Sequence, residues 1–399
     1  MWVGEGVWGR GRGRRPLAYP PNHPPKILIV AGEASGDAHA ARLVAAIKES
    51  LPQAEFVGIG GEALKAQGVR ILCPASKLAV VGLWEVAARL PVVGRALKAV
   101  WQVLTKARPS LVILVDFPDF NFWVARMAKL LRVPVMYYIS PQVWAWRTYR
   151  VRTLARLVDR LVVIFPFEEE FYRQRGVPVT YVGHPFMETM PDLKPPRERL
   201  AEWGLAPHRL TVALLPGSRA GEIQRHLPLM LAGAEVLQKS LPECQFILPC
   251  ASTAPVALIH SLVAGFPGTL SLVAGQAYPA LAAADLAVVA SGTVTLEAAV
   301  AGTPSIIVYR LAPFTYEVGR RLIRVAHVGM ANLLAGERLF PELIQDDFTA
   351  ERLAREALAL IRDAGRLERM RRGLARIVSG LGGPGASQRA ARVALELIG

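Results

Sequence analysis

Short, nearly continuous apolar runs alternate with segments of helical period along most of the chain. Runs rich in Val, Ile and Leu at 26–31, 54–59, 111–115, 134–139, 160–164 and 178–182 read as strands, and a second set follows at 210–215, 244–249, 269–273, 285–290 and 304–309. Strands that are apolar at every residue, rather than at alternate ones, predict parallel sheets covered by helices on both faces. Between the sets, residues 188–208 hold Pro191, Pro195 and Pro196 among charges and read as an interdomain linker. The pattern predicts an α/β protein with two Rossmann-like doubly wound domains, 26–187 and 209–350, facing a central cleft. From about Thr349 the chain reads as helical to its end, so 351–399 is expected to form C-terminal helices. There is no short internal repeat and no coiled-coil heptad pattern.

Composition narrows this picture. The chain of 399 residues is long enough for two or three domains, each with a substantial core. Its hydrophobic share of 52% and mean hydropathy of +0.30 are high for a soluble protein. No window, however, approaches the roughly 18–20 uninterrupted apolar residues of a spanning helix. Residues 1–25 hold Arg10, Arg12, Arg14 and Arg15 among glycines and prolines and lack an apolar core of secretory type, so they are expected to be a disordered basic extension. Net charge is +15; the extension supplies +3 of it, four arginines less Glu5, leaving +12 on the rest. Such a surplus favours anionic partners: phosphorylated substrates, anionic lipid or nucleic acid. Nucleic acid is disfavoured, because Arg and Lys are spread through the chain and the aromatic cluster at 137–147 holds only Arg147. Cys73, Cys244 and Cys250 suggest neither a pairing framework nor a metal site, which suits a reducing cytosol.

Candidate chemistry sits where strands end. After 26–31 comes Gly32-Glu33-Ala34-Ser35-Gly36-Asp37, a small-residue loop opening a helix. Its two carboxylates, Glu33 and Asp37, would repel a phosphate, so the loop has some other task. In the second half, Pro216-Gly217-Ser218-Arg219 leads towards a helix beginning near Glu222. Free amides at that helix start, the Ser218 hydroxyl and the Arg219 guanidinium would suit a diphosphate, against the alternative of a turn with a solvated arginine. Ser291-Gly292-Thr293 repeats the logic after 285–290, with Ser291 or Thr293 able to cap the helix and Glu297 one turn further in, available for a sugar hydroxyl; ordinary capping and a surface glutamate is the alternative. Two such loops at the carboxyl ends of strands point to a nucleotide diphosphate. No D-x-D occurs, which disfavours a metal-bridged diphosphate.

The first half adds an acid–base candidate. Asp116 ends the strand 111–115 among aromatics, where desolvation would raise its pKa and make it a useful base; a carboxylate satisfied by loop amides is the alternative. Asp119 reads most simply as a helix cap, and His184 as a structural histidine. Four large aromatics between Tyr137 and Arg147 suit sugars or lipid chains, or plain packing. Residues 78–104 mix Trp, Leu and Val with Lys77, Arg89, Arg95 and Lys98 close by, which fits either a core helix interrupted by Pro91 or an amphipathic element at a membrane surface.

Together these segments resemble the lipid A disaccharide synthase family over roughly residues 26–348. The resemblance rests on G-E-A-S-G-D at 32–37, V-D-F-P-D-F-N at 115–121, S-P-Q-V-W-A-W-R at 140–147, V-G-H-P at 182–185, L-P-G-S-R at 215–219, S-G-T-V-T-L-E at 291–297 and N-L-L-A-G at 332–336. It implies a GT-B-type glycosyltransferase architecture whose last helices cross back to the first domain. It also implies an inverting reaction joining UDP-2,3-diacylglucosamine to 2,3-diacylglucosamine 1-phosphate, with no cofactor and no metal. Asp116 then falls at the general base, Glu297 at the ribose, and Glu33, Arg219 and Asn332 at functional motif positions, with Glu33 orienting the acceptor sugar or supporting the base. A peripheral protein on the cytoplasmic face of the inner membrane, held through 78–104, follows from the lipid substrates, and a homodimer is allowed. The chain departs from the family pattern in its extension, in Ala331 where proline is common, and in Glu188 where aspartate is often seen. Two rivals carry distinct signatures: a UDP-sugar epimerase of similar fold would need no apolar acceptor surface, and a non-catalytic membrane or anion binder would turn over nothing.

Overall fold

The computed structural model describes residues 24–78, 83–146, 148–188, 197–251, 254–312, 316–317 and 327–399, without the side chains of Ala34, residues 83–90 and Trp146. Most of the expected extension (1–23), part of the apolar stretch (79–82), part of the linker (189–196) and Arg147 therefore lie outside the described residues. The described residues fall into two compact units, one up to Glu188 together with Pro384–Gly399, the other from Arg197 to Gly383.

The first unit holds a seven-stranded sheet in the order β3-β2-β1-β4-β5-β6-β7. Its strands are β1 Lys26–Ala31, β2 Glu55–Gly60, β3 Arg70–Pro74, β4 Leu111–Val115, β5 Val135–Tyr138, β6 Arg160–Val163 and β7 Val179–Tyr181. The second unit holds a six-stranded sheet, β10-β9-β8-β11-β12-β13. Here β8 is Thr211–Leu215, β9 Gln245–Cys250, β10 Leu270–Ala274, β11 Leu286–Ala290, β12 Ser305–Tyr309 and β13 Glu342–Ile344. Neighbouring strands pair in parallel, with Val30 opposite Leu114 and Leu215 opposite Val289 at the two central pairs. β4, β8 and β11 are buried at every residue, as their unbroken apolar sequences require. Each Leu, Ile or Val so buried contributes about 1.5–3 kcal/mol.

Eleven strands follow the apolar runs closely; β3 and β13 do not. β3 is a half-exposed edge strand flanked by Arg70 and Pro74, and β13 has three residues led by a glutamate, so neither carries a clear apolar signature. The expected linker also needs correction. Residues 197–208 belong to the second unit, with the helix Glu198–Glu202 burying Leu200, and Leu205 buried behind it. The Gln245 side chain pairs with both the N–H and the carbonyl of Ala206, fixing this stretch to β9.

Three helices end the chain. Ala350–Arg362 and Ala364–Gly380 belong to the second unit, capped by Thr349 Oγ1 and by the Asp363 carboxylate. Ala386–Ile398 belongs to the first and packs on the helix Ala34–Ser50. There the Glu188 carboxylate accepts the Ser387 amide and hydroxyl hydrogens at 2.5 and 2.6 Å, and Arg389 Nε donates to the Val182 carbonyl at 2.7 Å. The helix Leu83–Lys106 buries Ala96, Val100, Val103 and Leu104 in the core shared with β2 and β4, while Arg95 and Lys98 stay exposed. Among the described residues no helix is long and apolar enough to cross a membrane.

Gly58 shows how tightly the first sheet is built. A Cβ there would lie 1.7 Å from the Ile29 carbonyl oxygen, beside a register shift between β2 and β3. Gly58→Ala is expected to lower stability by about 3 kcal/mol, the upper range for overpacking. Denaturant unfolding would show this as a lower midpoint with an unchanged m value.

Candidate active site

Both sheets reverse their winding direction between adjacent central strands, β1/β4 in the first and β8/β11 in the second. Loops leaving such a pair diverge to opposite faces and open a crevice at the strands' carboxyl ends, the usual ligand position in open α/β sheets. Glu33 follows β1 and Asp116 follows β4; residues 216–219 follow β8 and 291–293 follow β11. All four predicted loops therefore lie at switch points.

At the first switch point, Glu33 is exposed and stands at the start of the helix Ala34–Ser50, where its carbonyl accepts the Asp37 amide hydrogen at 2.8 Å. Asp37 corrects the sequence reading of the loop. Its buried carboxylate accepts the amide hydrogens of Gly61 and Ala63 at 2.6 and 2.9 Å, so it straps the loop after β2 and offers nothing to a ligand. Gly32 is required for close approach, because a Cβ there would stand 2.1 Å from the Phe117 ring.

Asp116 and Phe117 both adopt left-handed backbone, with φ of 44° and 48°. For residues other than Gly this costs roughly 1–2 kcal/mol each. The cost is met by hydrogen bonds to the Asp116 carbonyl, which accepts from Asn121 Nδ2 at 2.7 Å and from the Tyr137 hydroxyl at 2.6 Å. Burial pushes the Asp116 carboxyl up to about 6, the Glu33 charge pushes it the same way, and the Phe117 amide opposes both. Asp119 is not the cap: Phe117 holds that position, and Asp119 lies in the first turn, paired with Arg150 at 2.7 Å.

The aromatic segment is mostly internal. Tyr137 and Tyr138 are fully buried in β5, and Trp144 packs edge-on against Phe167 at 5.0 Å. Trp144 Nε1 donates to Glu168 Oε1 at 3.0 Å, and the Phe165 amide donates to Glu168 Oε2 at 3.2 Å. His184 is buried with its Nδ1 accepting the Phe186 amide hydrogen, and burial, aided by His39, lowers it to about 3. It acts as a turn brace.

In the second unit, Gly217 has φ of 109°, which only glycine adopts without strain, and Arg219 precedes the helix Ala220–Ser240. The expectation of free amides is corrected: Glu222 Oε2 accepts from the Ser218 and Arg219 amides at 3.3 and 3.4 Å, and Glu222 Oε1 pairs with the largely exposed Arg219 guanidinium at 3.6 Å. At the other loop, Gly292 and Thr293 are exposed. Neither expected cap operates: the Ser291 hydroxyl donates to the Val328 carbonyl at 2.9 Å, and Thr293, preceding the helix Val294–Val300, makes no side-chain cap bond. Glu297 is half-buried, and desolvation raises its pKa.

Asn332 sits elsewhere than expected for a ligand contact. It is fully buried, with Nδ2 donating to the Phe340 carbonyl and to Glu342 Oε1 at 2.9 Å each, and Oδ1 accepting the Phe340 amide hydrogen at 2.7 Å. Glu342 also accepts the Val328 and Gly329 amide hydrogens. Through Val328 this brace reaches Ser291, so Asn332 shapes the loop beside the SGT turn from within.

Sequence reasoning missed Glu222, Glu342, Glu168 and His226. His226 is buried; its Nδ1 lies 2.8 Å from the Pro216 carbonyl, and its Nε2 accepts the Arg310 amide hydrogen at 2.9 Å. A carbonyl only accepts, so Nδ1 carries the proton and the neutral ring clamps the 216–219 turn to the loop after β12. The available signal was a histidine on the same helical face as Ile223, Leu227 and Met230.

The two-unit α/β architecture is shared with several solved structures. The fold is similar to the UDP-GlcNAc 2-epimerase of Neisseria meningitidis bound to UDP-GlcNAc, with a TM-score of 0.66 at 14% identity over 93% of this chain and 100% of that one. It is similar also to the kitacinnamycin glycotransferase, with a TM-score of 0.61 at 16% identity over 94% and 99%. These likenesses define an α/β two-domain fold of the GT-B type. The lipid-A-disaccharide synthetase family model matches residues 27–396. The lipid-A-disaccharide synthases of Geobacter sulfurreducens and Myxococcus xanthus are 46% and 47% identical over 374 and 379 residues, each alignment covering 94% of this chain and 97% and 98% of theirs. The chain belongs to the lipid-A-disaccharide synthase family.

Glu168 yields a pH prediction. Burial raises this carboxyl to about 7 in spite of the Trp144 and Phe165 hydrogen bonds. A raised carboxyl pKa stabilises the fold fully below the ordinary value near 4.5 and loses that contribution as pH climbs through 7. The loss amounts to about 3 kcal/mol at 1.4 kcal/mol per pKa unit. Glu168→Gln should remove this slope, so the stability difference between wild type and variant, measured by denaturant unfolding, should change between pH 4.5 and 7 and be flat above about 8.

Proposed function

We propose that the chain is an inverting glycosyltransferase that joins UDP-2,3-diacylglucosamine to 2,3-diacylglucosamine 1-phosphate, giving the β-1,6-linked lipid A disaccharide 1-phosphate and UDP. The observation that carries this reading is a desolvated carboxylate, Asp116, at the switch point of the first sheet in a chain of this family. The acceptor 6-hydroxyl attacks the anomeric carbon from the face opposite UDP. As the new C–O bond forms, the bond to the diphosphate breaks and the hydroxyl proton passes to Asp116. A carboxylate raised to about 6 is still ionised at neutral pH, yet more basic than an ordinary aspartate.

The leaving diphosphate gains negative charge, which Arg219 and the backbone around Gly217, Ser218, Ser291, Gly292 and Thr293 are suited to hold. Because Glu222 occupies the Ser218 and Arg219 amides, diphosphate contact there requires the Glu222 side chain to turn away. Glu297 serves the ribose, and Glu33 supports the base or orients the acceptor. Asn332 contributes by shaping the loop next to Ser291.

The acyl chains need an apolar surface at the acceptor side. A cavity of about 210 Å³ between β3 and the helix Leu83–Lys106, lined by Leu72, Pro74, Val92 and Ala96 with Lys77 and Arg95 at its edge, supports lipid contact in this region. Apolar lining with cations beside it suits an anionic lipid surface, each basic residue near the leaflet contributing about 1 kcal/mol.

Two measurements test the reading. With both lipid substrates, purified protein should form disaccharide and UDP, and Asp116→Asn should lower kcat by roughly 10²–10⁴ while UDP binding persists. In wild type, kcat should fall on the acid side with an apparent pKa near 6. Full activity in Asp116→Asn would remove the base assignment. The second measurement is flotation with vesicles containing anionic lipid: Lys77→Glu with Arg95→Glu should weaken binding, more so at low salt, and equal binding by wild type and variant would discard the surface role.

A further inference from the structure

We propose that Tyr137 and Asn121 are positioning residues for the base, holding the Asp116 backbone so that its carboxylate faces the acceptor crevice. The inference rests on the reading of Asp116 as the base.

Asp116 follows β4 in left-handed backbone, and Phe117 continues in the same conformation before Pro118 opens the helix Pro118–Leu130. In this strained pair of left-handed residues the Asp116 carbonyl is directed at two buried side chains, while its carboxyl is desolvated and feels the Glu33 charge. That conformation persists only if the inward carbonyl is satisfied. Both of its acceptor positions are taken by side chains from different elements: the Tyr137 hydroxyl, from β5, at 2.6 Å and Asn121 Nδ2, from the helix, at 2.7 Å. Asn121 Nδ2 also reaches the Val115 carbonyl at 3.3 Å. Tyr137 and Asn121 are both completely buried.

Packing alone does not explain a tyrosine here. The Tyr137 ring lies in the core beside Phe122, with centroids 6.4 Å apart, where phenylalanine would pack equally well. What tyrosine adds is one hydroxyl, and that hydroxyl is spent on the backbone of the base. The opposite side of the turn is held sterically, since Phe117 lies over Gly32. The turn is thus pinned by two hydrogen bonds from below and by one ring contact to the loop carrying Glu33. Loss of a pin lets Asp116 relax towards ordinary backbone, out of its desolvated setting and away from Glu33, the two influences that raise its pKa.

The test is Tyr137→Phe in the full-length enzyme, assayed for kcat, KM for both substrates and the pH dependence of kcat. Removing the hydroxyl should lower kcat on the order of 10- to 100-fold, as expected for a displaced reacting group. Both KM values should stay within about twofold, because binding groups are untouched. The acid limb of the kcat profile should move to lower pH, a change that a simple loss of folded protein cannot produce. Tyr138→Phe, on the opposite face of β5, should leave kcat and the limb unchanged. Wild-type kcat and an unmoved limb in folded Tyr137→Phe would overturn the inference, whereas full activity in Asp116→Asn would instead overturn the base assignment beneath it. Should Tyr137→Phe fail to fold, Asn121→Ser removes the other donor and is read by the same kcat, KM and pH-limb criteria.

Discussion

The reversal of winding at the centre of each sheet is the constraint on which the rest depends. Helices placed on opposite faces from β1 and β4 leave the carboxyl ends of those strands uncovered, and the same holds for β8 and β11. The reversal needs short parallel strands, buried along their whole length, and these the unbroken apolar runs supply. Once it exists, residues far apart in sequence meet without further design. Glu33 and Asp116 are separated by eighty-odd residues, yet Ala31 lies opposite Val115 in the register, so the next residues on each strand enter the same crevice. Gly32 then tunes the approach by admitting the Phe117 ring.

The two switch points differ in their electrostatic make-up. At the first, the charge of the exposed Glu33 adds to the desolvation of Asp116 in raising its pKa, a setting that would reject a phosphate. At the second, backbone amides and an exposed arginine gather, with Glu222 and Glu342 accepting the amide hydrogens. A diphosphate bound at 217–219 would exchange one anion for another on the same donors, so the amides never lose a partner and the turn need not be rebuilt. His226 makes the turn rigid from beneath, because its neutral ring bridges Pro216 and Arg310.

Much of this was legible in the sequence because it depends on local pattern. Strands such as Leu111–Val115 announce themselves by apolar continuity, and the loops that follow them by small residues. What stayed hidden depends on partners distant in the chain. Asp37 looks like a loop carboxylate until Gly61 and Ala63 are seen to consume it. Asn332 looks like a ligand contact until Phe340 and Glu342 close around it. Asp119 and Ser291 each fit a capping rule, but Arg150 and Val328 offered better partners. Edge strands such as β3 escaped for a different reason: a half-exposed strand does not need apolar continuity.

The basicity of Asp116 belongs to this second kind of information. An aspartate after a buried strand could equally accept loop amides and keep a low pKa, and nothing in Val-Asp-Phe-Pro decides between the two. The decision is made by backbone conformation. With φ positive at both Asp116 and Phe117, the carbonyl goes inward to Tyr137 and Asn121, and among the described residues it is the Phe117 amide that stabilises the charge of the carboxylate. Burial and Glu33 then outweigh that donor. The chemistry of the site is therefore set less by which residue follows β4 than by which way its carbonyl is made to point.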